Sequence, residues 1–173
     1  IQGTENAIES IVFNNNICRT AITDSEEINT QTSSNYPIKF ELIKDITIKN
    51  NQFGDFRRGM IYLTDGVTYG NLRKIIIEDN KFEGIGVLTP SSVDMNAILL
   101  NLPAGYGLNN INKLISIKNN YLNIKKAEGS SKGIYLNYRG ATTDTKTKVF
   151  IVDNIVDGST QEINLYAKNA TIS

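Results

Sequence analysis

Any acid–base chemistry in this chain of 173 residues must use carboxylates, Lys, Arg or Tyr, because the chain contains no histidine and a single cysteine, Cys18. Hydrolysis of a glycosidic bond requires two carboxyl groups roughly 5 to 10 Å apart across a groove. The candidate pairs are Asp55 with Glu83, and Asp65 with Asp94. A lyase would instead need a basic residue with a neutralising cation, and FGDFRRGM, which contains Asp55, Arg57 and Arg58, forms the compact cluster of mixed charge.

The simpler interpretation of these charges is that they are solvated surface groups. Acids and bases are abundant on every soluble protein, and no D-x-D or H-x-x-[DE] phrase singles out any pair. Eighteen Lys and Arg balance eighteen Asp and Glu, so nothing favours a nucleic acid as partner. No apolar run reaches the 18 residues that a membrane span requires, and we expect neither a metal nor another cofactor.

A repeated phrase indicates which elements must position such groups. It reads apolar, any, apolar, any, Asn or Asp, Asn, any, apolar, and it occurs five times, as IVFNNNIC from Ile11, ITIKNNQF from Ile46, IIIEDNKF from Ile75, ISIKNNYL from Ile115 and VFIVDNIV from Val149. The invariant asparagines are Asn16, Asn51, Asn80, Asn120 and Asn154. They lie 35, 29, 40 and 34 residues apart, which indicates a constant cross-section with loops of unequal length.

A second phrase follows each copy of the first: PIKFEL from Pro37, MIYLTD from Met60, AILLNL from Ala97, GIYLNY from Gly133 and EINLYA from Glu162. Alternation at period two predicts strands, with the same turn after every second strand. The predicted inward pairs are Ile38 and Phe40, Ile61 and Leu63, Ile98 and Leu100, Ile134 and Leu136, and Ile163 and Leu165. Equivalent strands would pair between repeats, and the asparagine amides would bond along the stack.

The phrase I-x-I-x-N-N-x-F followed by G-I-x-L resembles the repeat of right-handed parallel β-helix proteins of the pectate-lyase and phage-tailspike type, from about Ala7 to Ala167. The expected fold class is therefore all-β, a parallel β-solenoid of about five coils with irregular loops, in one domain spanning 1–173. The family includes lyases, hydrolases, esterases and non-enzymatic adhesins, so the resemblance specifies architecture more than activity. We expect the chain to be part of a longer or processed protein.

Function in such a fold is expected on outward faces. The outward row of the second phrase is Lys39, Tyr62, Leu99, Tyr135 and Asn164, with Thr64, Asn101 and Asn137 beside it. Aromatic side chains can stack on sugar rings while amides bond hydroxyls, although aromatic residues also simply suit strands. We therefore predict polysaccharide binding by Tyr62, Tyr135, Tyr138, Arg139, Asn101 and Asn137, with Arg57 and Arg58 nearby.

The outward row of the first phrase is Val12, Thr47, Ile76, Ser116 and Phe150, which predicts a cover by a loop or by another subunit. The resemblance makes a homotrimer the natural oligomer. The leading hypothesis is a phage or prophage tail spike or fibre domain that recognises a bacterial surface polysaccharide, located in the virion tail or at the cell surface. The alternatives are a tailspike-type depolymerase that uses Asp55, Asp65, Glu83 or Asp94, and a structural stalk or adhesin repeat.

Overall fold

The computed structural model describes residues 8–19, 38–41, 43–54, 61–64, 73–85, 95–102, 114–124, 130–139, 147–168 and 171–172. Within these ranges all regular structure is β-strand, and every strand pair is parallel. The prediction of an all-β chain with parallel pairing is confirmed.

The strands form three sheets. The first sheet contains β1 (Ile8–Asn14), β4 (Ile43–Lys49), β7 (Lys74–Glu78), β10 (Leu114–Lys118), β13 (Lys148–Val152) and β16 (Thr171–Ile172). The second sheet contains β2 (Ile17–Arg19), β5 (Gln52–Gly54), β8 (Lys81–Ile85), β11 (Tyr121–Ile124) and β14 (Ile155–Asp157). The third sheet contains β3 (Ile38–Glu41), β6 (Ile61–Thr64), β9 (Met95–Leu102), β12 (Ser131–Arg139) and β15 (Gln161–Lys168).

Each repeat therefore contributes one strand to each sheet, so it has three strands where the sequence predicts two. The difference arises inside the first phrase. One strand ends at the asparagine pair, and the last residues of the phrase begin another strand. In the second repeat, β4 ends at Lys49 and β5 begins at Gln52, with Asn50 and Asn51 between them. Strands of three residues are too short to display an alternating pattern of their own.

The bend between the first and second sheets is made by a residue with a left-handed backbone. The residue before each invariant asparagine has a φ between 53° and 60°, and these residues are Asn15, Asn50, Asp79, Asn119 and Asp153. Asn and Asp are the side-chain-bearing residues that adopt this conformation most readily. The sequence predicts a left-handed residue in the pair, and the structure assigns it to the first member, which is exposed.

The second member of each pair forms what we call the asparagine ladder: Asn16, Asn51, Asn80, Asn120 and Asn154. Each side-chain Nδ2 donates to Oδ1 of the next asparagine, at 3.1, 2.9, 3.0 and 2.9 Å along the stack. The backbone N–H donates to the same Oδ1 at 2.9 to 3.1 Å. The predicted amide stacking is confirmed, and it pairs polar groups that are almost fully buried in the middle repeats.

The core lies between the three sheets and is built by stacking like residues on like. Ile46 and Ile48 of β4 point inward with at most 2% exposure, and Phe53 packs against Phe82 with ring centroids 5.0 Å apart. Register aligns the closing apolar residues of the first phrase in one inward row: Cys18, Phe53, Phe82, Leu122 and Val156. Burial of these side chains is the main stabilising contribution.

One predicted inward pair differs from the structure in its burial. Ile163 and Leu165 of β15 are 45% and 36% exposed, although they register with the fully buried Ile134 and Leu136, because β15 lies at the edge of its sheet. Ser116 belongs to the outward row for which a cover is predicted. It is only 4% exposed, and its hydroxyl donates to Glu78 Oε1 at 2.6 Å.

Replacing Asn80 by alanine should destabilise the fold strongly. The substitution removes the acceptor of the Asn51 backbone N–H and side-chain amide, and an unpaired buried polar group costs about 1 to 3 kcal/mol. We expect urea unfolding to show a loss of about 3 kcal/mol for Asn80→Ala. Gln52→Ala, at an exposed side chain of β5 directly after Asn51, serves as the control and should change stability by less than about 0.5 kcal/mol. Equal losses in the two variants would contradict the ladder's role.

Substitutions at Asn50 should separate backbone conformation from side-chain bonding. Its φ of 54° is compatible with glycine but strains a β-branched side chain, so Asn50→Gly should keep a near-native melting temperature. Asn50→Val should lose about 1 to 2 kcal/mol in thermal unfolding. The assignment of this residue to the left-handed position fails if the valine variant is as stable as the glycine variant.

Candidate functional site

The outer face of the third sheet brings together most of the predicted polysaccharide-binding positions. Register places Lys39, Tyr62, Leu99, Tyr135 and Asn164 in one row across the five strands. A second row, two residues further along, contains Glu41, Thr64, Asn101, Asn137 and Tyr166. Because parallel strands in register repeat at about 4.8 Å, equivalent side-chain positions form straight lines across the sheet.

Two amides of the second row are joined by a hydrogen bond. Asn137 Nδ2 donates to Asn101 Oδ1 at 2.9 Å, and both side chains are half-buried. A side-chain amide offers two N–H donors and a carbonyl acceptor, so this one bond leaves donors on Asn101 and an acceptor on Asn137. The pair therefore presents groups of both kinds at neighbouring positions.

A cation lies beside the aromatic ring of the first row. Lys132 Nζ is 5.6 Å from the centroid of the Tyr135 ring, and both side chains are half-buried. This contact places a positive charge beside the aromatic ring of the first row. This contact could not be predicted from the repeated phrase, because Lys132 precedes its alternating part.

A second feature missed by sequence reasoning is an unpaired carbonyl at the start of β9. Asn96 is 9% exposed, its register partner is Lys132, and its Oδ1 makes no hydrogen bond. Buried polar atoms without a partner are uncommon, and the burial of this oxygen keeps it from contacting a ligand on the outer face. Tyr166 was also missed, and its register partner is Asn137.

The remaining predicted binding positions lie at the end of β12 or outside the described residues. Position 138 pairs with Leu102, which is 3% exposed, and with Ala167. Arg139 pairs with Lys168 at the end of β12. Arg57 and Arg58 lie outside the described residues. Roles for Tyr138, Arg139 and the two arginines in binding stay predictions.

Of the four predicted catalytic acids, Asp55, Asp65 and Asp94 lie outside the described residues, and Glu83 is in β8 of the second sheet. Glu83 Oε1 is 2.6 Å from Lys81 Nζ, and Oε2 is 4.0 Å from an Arg19 guanidinium nitrogen. Its carboxylate thus belongs to an ion-pair cluster that joins two repeats. The pairing of Glu83 with Asp55 in catalysis stays a prediction.

No protein-family description, curated protein or solved structure matches the chain. Among the described residues there is no helix long and apolar enough to cross a membrane. In the same part of the chain, no group of three or more Cys, Asp or Glu side chains is placed to hold a metal ion.

The outer face of the first sheet carries ion pairs instead of free polar groups. Glu9 accepts from Lys44 Nζ and from Arg73, both at 2.6 Å, and Arg73 also donates to both oxygens of Asp45. The hydrogen bonds from Lys44 and Arg73 lower the pKa of Glu9, and those to Asp45 and Glu9 raise the pKa of Arg73. These charges neutralise one another across three repeats.

The apolar row on this sheet is partly covered by neighbouring charged side chains. Lys118 Nζ lies 4.9 Å from the Phe150 ring centroid, and Glu78 bonds both Ser116 and Lys49. At the start of the row Val12 is 66% exposed. The predicted cover by another subunit stays a prediction.

Acid should weaken the fold partly through Glu78. Desolvation raises the pKa of Glu78. Hydrogen bonds from Lys49 and Ser116, together with the charges of Lys49 and Lys118, lower it by more, so the pKa is below its usual value. The pKa of Glu78 is thus lower in the folded state than in the unfolded state, where it is about 4.3. The ionised carboxylate therefore stabilises the fold at a pH above the unfolded-state pKa, and this stabilisation is lost as the pH falls through the folded-state pKa. Glu78→Gln should therefore cost about 1 kcal/mol at pH 7 and much less in acid.

The measurement is urea unfolding of both proteins from pH 7 down to about 2, a range that brackets the titration of Glu. Glu162→Gln serves as the control, because Glu162 is exposed and forms no ion pair with a described residue. A constant difference between Glu78→Gln and the unsubstituted protein at every pH would contradict the electrostatic account.

Proposed function

We propose that the chain is a right-handed parallel β-solenoid that binds a bacterial cell-surface polysaccharide along the outer face of its third sheet. The strand order supports the solenoid, because each sheet takes every third strand in sequence from successive repeats, and β16 begins a sixth. The repeated phrase resembles that of pectate-lyase-like and tailspike-type proteins. We propose the same setting for this chain, a phage or prophage tail spike or fibre, or a bacterial surface protein, assembled as a homotrimer.

The observation that carries the binding proposal is the alignment of two unlike rows on one face. An apolar and aromatic row containing Leu99 and Tyr135 runs beside an amide row containing Asn101 and Asn137. Sugars in a polysaccharide present apolar ring faces and hydroxyl edges, and these two rows complement both. The rows follow a straight line, which suits an extended chain better than a small molecule.

Binding should be tested on an array of bacterial capsular and lipopolysaccharide glycans, followed by titration of the positive glycans with Tyr135→Ala. The substitution should weaken binding about tenfold, equivalent to about 1.4 kcal/mol, because it removes the stacking surface. Tyr121→Ala is the matched control: Tyr121 is a half-buried tyrosine of the same repeat, but it belongs to the second sheet. It should bind like the unsubstituted protein.

A reducing-sugar release assay on the same glycans tests whether binding is accompanied by cleavage. Binding without release supports a recognition domain, whereas release that is lost in Asp55→Ala or Asp65→Ala supports the depolymerase. No binding to any glycan on the array, or equal loss in Tyr135→Ala and Tyr121→Ala, would refute the proposed binding face.

A further inference from the structure

The amide pair on the outer face of the third sheet has a direction. Asn137 Nδ2 donates to Asn101 Oδ1 at 2.9 Å, and within the described ranges neither side chain makes another hydrogen bond. The oxygen and the nitrogen of one amide point apart, so this bond turns Asn137 Oδ1 away from Asn101 and turns Asn101 Nδ2 away from Asn137. The pair therefore has an acceptor on one side and donors on the other.

The same pair borders an apolar surface. Leu99 and Tyr135 precede Asn101 and Asn137 by two residues on β9 and β12, so all four side chains lie on one face of the sheet. Leu99 lies opposite Tyr135 in register, and both are half-buried. With strands about 5 Å apart and alternate residues about 7 Å apart along a strand, the four positions form a small patch, half apolar and half amide.

The asparagine ladder demonstrates what an amide pair of this kind can bind. Its members also lie one repeat apart, and they bond in series, as Asn80 Nδ2 does to Asn120 Oδ1 at 3.0 Å. In the ladder each amide is buried, and Asn120 both accepts from one neighbour and donates to the next. The pair of Asn101 and Asn137 is a two-member segment of the same arrangement, placed on the surface, and each side of it can add a further amide.

We infer that this patch recognises N-acetylated amino sugars within the polysaccharide, an inference that rests on the proposed binding function. An acetamido group contains an N–H donor, a carbonyl acceptor and a methyl group, so it extends the chain of amides. On one side of the pair its N–H donates to Asn137 Oδ1, and on the other side its carbonyl accepts from Asn101 Nδ2. The methyl group and the adjoining sugar ring cover Leu99 and Tyr135.

The apolar half of the patch separates this ligand class from unsubstituted sugars. A hydroxyl group also bonds an amide, but it carries no methyl group and leaves the surface of Leu99 in contact with water. A free amino group lacks both the carbonyl and the methyl group. Among common sugar substituents, the acetamido group thus matches the amide half and the apolar half together.

The glycan side of the inference is tested with the polysaccharides that bind on the array. We expect these polysaccharides to contain N-acetylated amino sugars. Chemical removal of the acetyl groups should weaken binding to the full chain at least about tenfold, and re-acetylation of the same sample should restore it. Restoration shows that the loss comes from the acetyl group and not from damage to the polysaccharide.

The protein side is tested with Asn101→Asp. The aspartate keeps an oxygen that accepts from Asn137 and has nearly the same shape, but an acceptor oxygen replaces the Nδ2 donors. Affinity for the acetylated polysaccharide should fall at least about tenfold. Asn50→Asp is the matched control, because it adds the same charge at an exposed corner where the next repeat has Asp79, and it should bind like the unsubstituted protein.

A second variant tests the apolar half of the patch. Leu99→Thr retains a residue suited to strands but removes apolar surface, and it should weaken binding of the acetylated polysaccharide about fivefold. If circular dichroism shows that Asn101→Asp does not fold, Leu99→Thr decides the protein side, with Asn50→Asp again as the control.

Binding confined to polysaccharides without N-acetylated sugars overturns the inference but leaves the proposed polysaccharide-binding function standing. So does affinity that is unchanged after removal of the acetyl groups, or an equal loss in the test variants and in Asn50→Asp. Failure to bind any glycan on the array refutes the binding function itself, so the two failures are distinguishable.

Discussion

The hydrogen bond from one asparagine amide to the next is the constraint on which the rest of the structure depends. It holds neighbouring repeats in a single register, because the amide oxygen accepts both the side chain and the backbone N–H of the preceding asparagine. A slip of one residue would leave these buried groups unpaired and would turn every apolar side chain of the strand outward. The ladder thus sets register for the apolar core as well as for itself.

Register set at one corner is transmitted to all three sheets. Phe53 stacks on Phe82, and the Asn101 and Asn137 amides meet on the third sheet, because the same vertical alignment holds around the whole repeat. Segments between the strands can differ in length without disturbing this alignment, as the spacings of 29 to 40 residues between ladder asparagines demonstrate. Straight rows of outward groups are consequently built into this arrangement and require no dedicated loop.

The fold could be predicted from the sequence to the extent that it depends on residues repeated along the chain. Inward positions such as Ile46 and Ile98, the stacking of Asn51 on Asn80, and the row containing Leu99 and Tyr135 all follow from alternation and repetition. The division of the asparagine pair into a left-handed residue and a ladder residue could not be predicted, because either member can adopt a positive φ.

The candidate site was less predictable, since its contacts join different repeats. The bond between Asn137 and Asn101, the ion pair of Glu83 with Arg19, and the burial of Ser116 beneath Glu78 depend on side-chain reach across strands. The exposure of Leu165 depends on its place at the sheet edge, although its phrase is indistinguishable from those of buried copies. The repeated phrase thus predicts where a residue lies in the repeat, whereas the contacts of its side chain depend on the residues of the neighbouring repeat.

The unequal but bounded spacing of the repeats also shapes how the chain folds. Each strand pairs only with strands one repeat away, so the sequence separation of contacts stays near 29 to 40 residues wherever they form. The loop-closure entropy for adding a repeat is then nearly the same at every step, and folding can nucleate at an interior pair and extend in both directions. The central repeats, whose isoleucines are fully buried, would open last under native conditions, and local stability would decrease towards both ends.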